Sequence, residues 1–116
     1  MDLKRQELIQ FILDRTNTTE SYPFNNPSRK QTILWTIMKQ VGSGKMMAMI
    51  FERDDKLLLN LKLKPEHVDQ MKHVGGVTSG FHMNKKYWVT VDIQNTDVTQ
   101  IELENMIIES DSLTKR

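Results

Sequence analysis

Apolar and polar positions alternate most regularly in the second half of the chain. Between Tyr87 and Ile93 the odd positions Tyr87, Val89, Val91 and Ile93 are apolar or aromatic, and Trp88, Thr90 and Asp92 fall between them. A period of two sends successive side chains to opposite faces of a sheet, so this segment reads as a strand with its odd positions in a core. It is entered from Val77 by a short extended run that breaks at Gly80 and carries His82, Asn84, Lys85 and Lys86 through a turn. The stretch Val77 to Ile93 is therefore expected to be a hairpin. Leu57 to Leu63 repeats the alternation, with Leu57, Leu59, Leu61 and Leu63 inward and Leu58, Asn60, Lys62 and Lys64 outward. Lys45 to Phe51 is apolar on both faces, the mark of a central strand. Thr32 to Val41 carries Ile33, Trp35, Ile37 and Val41 on one face and Leu34 and Met38 on the other.

Helical spacing appears at three places. Leu8, Ile9, Ile12 and Leu13 form one stripe, with Phe11 beside it, on a helix expected from Asp2 to about Thr18. The polar stretch NTTESYPFNNPSRK reads as the loop that follows, with Tyr22 and Phe24 folded back on a core edge. Pro65 suits the first position of a short helix to about His73, which Gly75 and Gly76 end. Thr96 to about Ser110 forms the last helix, with Asp97 as N-cap or Thr99 and Glu102 as a capping box. Its apolar residues spread around most of its circumference, which predicts packing on two sides. Turns at Gly42-Ser43-Gly44 and at Arg53-Asp54-Asp55-Lys56 separate the strands. The order α-β-β-β-α-β-β-α predicts an α+β, two-layer domain spanning 1–116, with an antiparallel five-stranded sheet backed by helices on one face.

A chain of 116 residues suits one domain with a real core. No apolar run reaches the roughly 18 residues of a membrane span, and the first segment, which carries acids, is unlike a secretory signal. The absence of cysteine removes disulfides and thiol chemistry, so a reducing cytoplasm is the expected compartment. Net charge is +1, but its distribution is uneven. Lys56 to Lys86 holds six lysines against Glu66 and Asp69, whereas Tyr87 to Thr114 holds six acids and no Lys or Arg. The middle of the chain thus carries a local positive field, and the tail is expected to repel polyanions.

Catalytic chemistry finds little footing. His67, His73 and His82 lack metal-ligand spacing, and Asp54-Asp55 lacks the alternating oxygen ligands of a calcium loop. Gly42-Ser43-Gly44-Lys45 fits a hairpin turn, without the rest of a phosphate loop. Ser79 and His82 are close in sequence but have no third orienting group. The residues that suggest binding are cations around an aromatic side chain: Lys45, Lys62, Lys64, His82, Asn84, Lys85, Lys86 and Trp88. Lysines at hairpin tips suit duplex phosphates, and a tryptophan beside them suits a stacked base. The expectation is a non-catalytic DNA-binding or regulatory protein with no metal, cofactor or membrane partner, as a monomer or weak homodimer. The rival is a protein-interaction module using the last helix and the methionines Met46, Met47 and Met49.

Several segments carry a family resemblance: YPF at 22–24, GKMMAMIF at 44–51, LNLKLKPEHVDQM at 59–71, GFHMNKKYW at 80–88 and ESDSLT at 109–114. In this order they resemble the MmcQ/YjbR family across nearly the whole chain. Tyr87 stands where the family commonly has His, and Asp111 where it commonly has Tyr. The resemblance implies a fold akin to the CyaY-like and secretion-chaperone-like architectures. It also implies a "double wing" for DNA contact, which falls here on the hairpins at Gly42–Lys45 and His82–Lys86. Iron binding, which the CyaY kinship raises, has no acid-rich first helix to support it, since that helix offers only Asp2, Glu7 and Asp14.

Overall fold

The computed structural model describes residues 1–24 and 33–116. Thr32, the expected start of one strand, lies outside them. Helix α1 (Arg5–Leu13) leads into strands β1 (Thr18–Ser21), β2 (Thr36–Gln40), β3 (Met46–Arg53) and β4 (Lys56–Lys62). Helix α2 (Pro65–Met71), strands β5 (Val77–Ser79) and β6 (Trp88–Asp92), and helix α3 (Gln100–Thr114) complete the order. The sheet runs β1-β2-β3-β4-β6-β5, with every neighbouring pair antiparallel.

Among the described residues the α+β class, the antiparallel sheet and the three helices agree with the sequence reading, but the sheet has six strands rather than five. The extra strand is β1, which pairs Thr18–Ser21 with Ile37–Gln40 in a stretch expected to be loop. Its residues, TTES, carry no apolar alternation because an edge strand makes few core contacts. Helix α1 is correspondingly shorter than expected.

One face of the sheet holds the main core. Leu57, Leu59, Leu61, Val89 and Val91 lie there in direct register and pack with Leu8, Ile12, Val68, Leu103, Met106 and Ile107 from the three helices. The odd face of the last strand is therefore inward, as its period requires. Helix α3 uses one side only. Ile101 and Ile108 are 73% and 47% exposed, which corrects the expectation of packing on two sides. Thr99 is the N-cap of α3, closing a capping box with Glu102. The β3–β4 turn has positive φ at Asp54 and Asp55, as a two-residue reversal between twisted strands demands.

The second face is covered over part of its area. Ile37, Met49 and Phe51 are buried on it, and Trp35 and Phe81 stack across Phe51 with ring centroids 4.5 and 5.4 Å away. Asn60, placed outward by simple alternation, has no exposed surface. Tyr22 and Phe24, expected to cap the core, are 40% and 53% exposed.

Candidate nucleic-acid interface

The segment 80–87 covers half of the second face, and a buried polar pair holds it there. Thr90 on β6 lies opposite Asn60 on β4. Its hydroxyl donates to Asn60 Oδ1 at 2.6 Å and accepts the Phe81 N–H at 2.9 Å. Asn60 Nδ2 donates to the Phe81 carbonyl at 2.9 Å. Both backbone groups of Phe81 are thus satisfied by two side chains of the sheet, which removes the usual cost of laying loop backbone on a buried surface. Gly80 is the close approach: a Cβ there would stand 2.6 Å from Trp88 Cβ.

This covering decides where the expected binding residues fall. Trp88 does face away from Val89, as alternation required, but it is only 8% exposed. It is not a stacking platform, because the side chain is buried and the chain at Gly80 packs against its Cβ; its backbone N–H donates to the Asn84 carbonyl. Asn84 is a turn former, with Oδ1 accepting the Lys86 N–H at 2.9 Å. The Lys85 ammonium donates to the Gly80 carbonyl and so ties the same loop. His82 sits at φ 59° with its ring 4.0 Å from that of Phe81 and 6.2 Å from Trp35, over the middle of the sheet. No hydrogen bond joins it to Ser79 among the described residues.

The remaining lysines do converge. Lys62 pairs directly with Trp88 at the end of β4, and Tyr87 lies beside them, its carbonyl accepting the Leu63 N–H. The Lys62 and Lys86 ammonium groups stand 5.8 and 5.5 Å from the Tyr87 ring centroid, within cation–π range. Lys64 follows as the N-cap residue of α2. Lys45 lies in the exposed β2–β3 turn at the same end of the sheet, and Lys39 pairs with Met46 next to it. Sequence reading missed Lys39 and the role of Tyr87. Knowing that β4 adjoins β6 would have found Tyr87, but their pairing has no local signal.

The ESDSLT segment holds this end together. The Ser110 hydroxyl accepts the Lys62 N–H at 3.0 Å and donates to the Met47 carbonyl at 2.5 Å, filling the gap where β3 and β4 part beside a bulge. Glu109 accepts the Lys64 N–H at 2.9 Å and meets His67 Nδ1 at 2.9 Å. Asp111 accepts from Gln40 at 2.7 Å and pairs with Lys115 at 3.2 Å. Glu104 pairs with Arg15 at 3.4 Å, and Glu102 caps its own helix. The helical carboxylates of the tail therefore each have a partner within the fold. Ser43 Oγ donates to the Thr114 carbonyl at 2.6 Å, which brings Lys115 and Arg116 to the Lys45 turn.

Among the described residues no group of acids and histidines is arranged to hold a metal ion, and no helix is long and apolar enough to cross a membrane.

The chain is similar to the uncharacterized protein YyaQ of Bacillus subtilis (strain 168), being 26% identical over 119 residues that cover 97% of this chain and 99% of that protein. Its fold is shared with a crystal structure of a Pseudomonas syringae protein, at a TM-score of 0.80 and 22% identity, covering 97% and 99% of the two chains. A Deinococcus radiodurans protein with a DUF419 domain matches at a TM-score of 0.71 and 24% identity, covering 96% of this chain and 78% of that one. The YjbR family model matches residues 13–110, and the chain belongs to the YjbR family.

Proposed function

We propose that this protein is a non-catalytic DNA-binding module that grips phosphates with the cationic end of its sheet. The observation that carries the reading is the grouping of Lys62 and Lys86 within cation–π range of Tyr87, with Lys64, Lys45 and Lys39 at the same end. Lys39 and Lys62 on strands and Lys64 at a helix cap have their backbone fixed before the ligand arrives, which lowers the ordering cost of binding. They touch no base edge by design, so the contact positions the protein without reading sequence. Tyr87, half-buried near two ammonium groups, takes the role expected of Trp88. The test is fluorescence anisotropy with labelled duplex and single-stranded DNA. Charge reversal of Lys62 and Lys86 abolishes binding on this reading, and retention of full affinity would refute it. Tyr87→Ala weakens single-strand binding more than duplex binding if the ring stacks on bases.

A second reading rests on Ile101 and Ile108, two turns apart and exposed on α3. They would join two copies as a weak homodimer. Met47 and Met49 are buried and Met46 is half-buried, so two of the three methionines lend that reading no support. Light scattering of wild type against Ile108→Glu tests it, with an unchanged monomer mass counting against it.

A further inference from the structure

The uncovered half of the second face is a cleft of about 400 Å³, at the opposite end of the sheet from the lysine cluster. Leu58, Thr78, Thr90 and Asp92 form its floor, and Phe81 closes one side. A cleft of this size falls in the range that holds small metabolites.

Its chemistry is set by Arg53. The guanidinium carbon lies 4.4 Å from the Phe81 ring centroid, so an aromatic face orients the fork. Its nearest carboxylate, Asp54, is 3.9 Å away and makes no bidentate pair. An arginine oriented by a ring keeps its N–H edge for a phosphate or carboxylate. Lys56 is its direct partner in the β3–β4 register and adds a second positive charge at the same mouth. Across the floor, Asp92 pairs with Leu58 and Thr78 pairs with Thr90, giving a half-buried carboxylate and an exposed hydroxyl that take hydrogen bonds from alcohols.

We propose that this cleft binds a hydroxylated phosphomonoester, with its phosphate on Arg53 and Lys56 and its hydroxyls on Asp92 and Thr78. The anionic group is needed at one side and hydrogen-bond donors at the other, because Asp92 would repel a ligand that offered it only acceptors. A sugar phosphate and a nucleoside monophosphate share this chemistry, and a base would lie against Leu58 and Phe81. The site is separate from the lysine cluster and does not depend on the DNA-binding reading.

Backbone-amide NMR titration of the full chain tests it with ribose 5-phosphate, AMP, adenosine and inorganic phosphate as probes. Saturable shifts at Leu58, Thr78 and Asp92 with either phosphomonoester are expected. Tighter binding of AMP identifies a nucleotide site, and equal binding identifies a sugar-phosphate site. Arg53→Ala, at an exposed position that leaves the amide spectrum folded, weakens binding at least tenfold, and Arg53→Lys by less. The proposal is overturned by an absence of saturable shifts at millimolar ribose 5-phosphate and AMP. Inorganic phosphate or adenosine binding as well as the phosphomonoesters would overturn it too, as would affinity unchanged in Arg53→Ala.

Discussion

Replacing Thr90 by Val keeps the shape of a buried, β-branched strand residue and removes one hydroxyl. That hydroxyl makes two hydrogen bonds, to Asn60 Oδ1 and from the Phe81 N–H, at 2.6 and 2.9 Å. Neither partner has another donor or acceptor described for the lost bond, and Asn60 is fully buried. Each buried group left unpaired costs about 1–3 kcal/mol, and the two share one network, so the summed loss is roughly 2–4 kcal/mol. That is a large fraction of the about 5–15 kcal/mol that holds a small domain folded. Urea denaturation gives the magnitude directly. Hydrogen exchange at the Phe81 amide gives the location, because that N–H loses its acceptor while the core strands stay protected until global unfolding. A Thr90→Val protein within about 0.5 kcal/mol of wild type, with Phe81 exchange unchanged, would refute the claim that this pair pins the segment 80–87.

Ser110→Ala leaves the Lys62 N–H and the Met47 carbonyl without their bridge, at an expected cost of about 1–3 kcal/mol by urea denaturation. Trp88→Ala empties a buried site and should cost roughly 3–5 kcal/mol, where an exposed tryptophan would cost little; thermal melting distinguishes the two. The Tyr22 phenol donates to Glu20 at 2.6 Å, which raises its pKa above the ordinary value, so any stability it lends is present below pH 10 and lost as pH rises through the raised value. Ultraviolet titration of tyrosinate in wild type and Glu20→Gln checks this, the variant titrating at lower pH.

Much of the fold was legible because core strands advertise themselves. Leu57 to Leu63 and Val89 to Ile93 alternate against a layer of helices, and their inward faces were assigned correctly from period alone, whereas Tyr87, expected inward with them, precedes the strand and is only half-buried. The edge strand β1 was hidden by its polar residues, which need no core partner. The second face was misread for a different reason. Alternation says which side Asn60, Thr90 and Trp88 point to, but not whether that side is wet. Here the polar pair is what allows a loop to lie on the sheet, so residues that look solvent-facing are buried. The same limit governs the binding residues. Proximity along GFHMNKKYW grouped His82, Asn84, Lys85 and Trp88 with Lys86, yet the first four stack on, turn or anchor the loop. The cationic group formed instead from β2, the β2–β3 turn, β4 and the α2 cap together with Lys86, segments brought together by strand register.

On the proposed function, five lysines at one end of the sheet hold the phosphates of DNA. The most direct test is the salt dependence of duplex DNA binding, followed by fluorescence anisotropy from low to physiological ionic strength. Neutralising five phosphates predicts a slope of log K against log salt concentration of about −4.5. Each of Lys39, Lys45, Lys62, Lys64 and Lys86 changed to Ala should reduce that slope by about 1. An absence of binding at low salt, or a slope that none of these substitutions alters, would contradict the account.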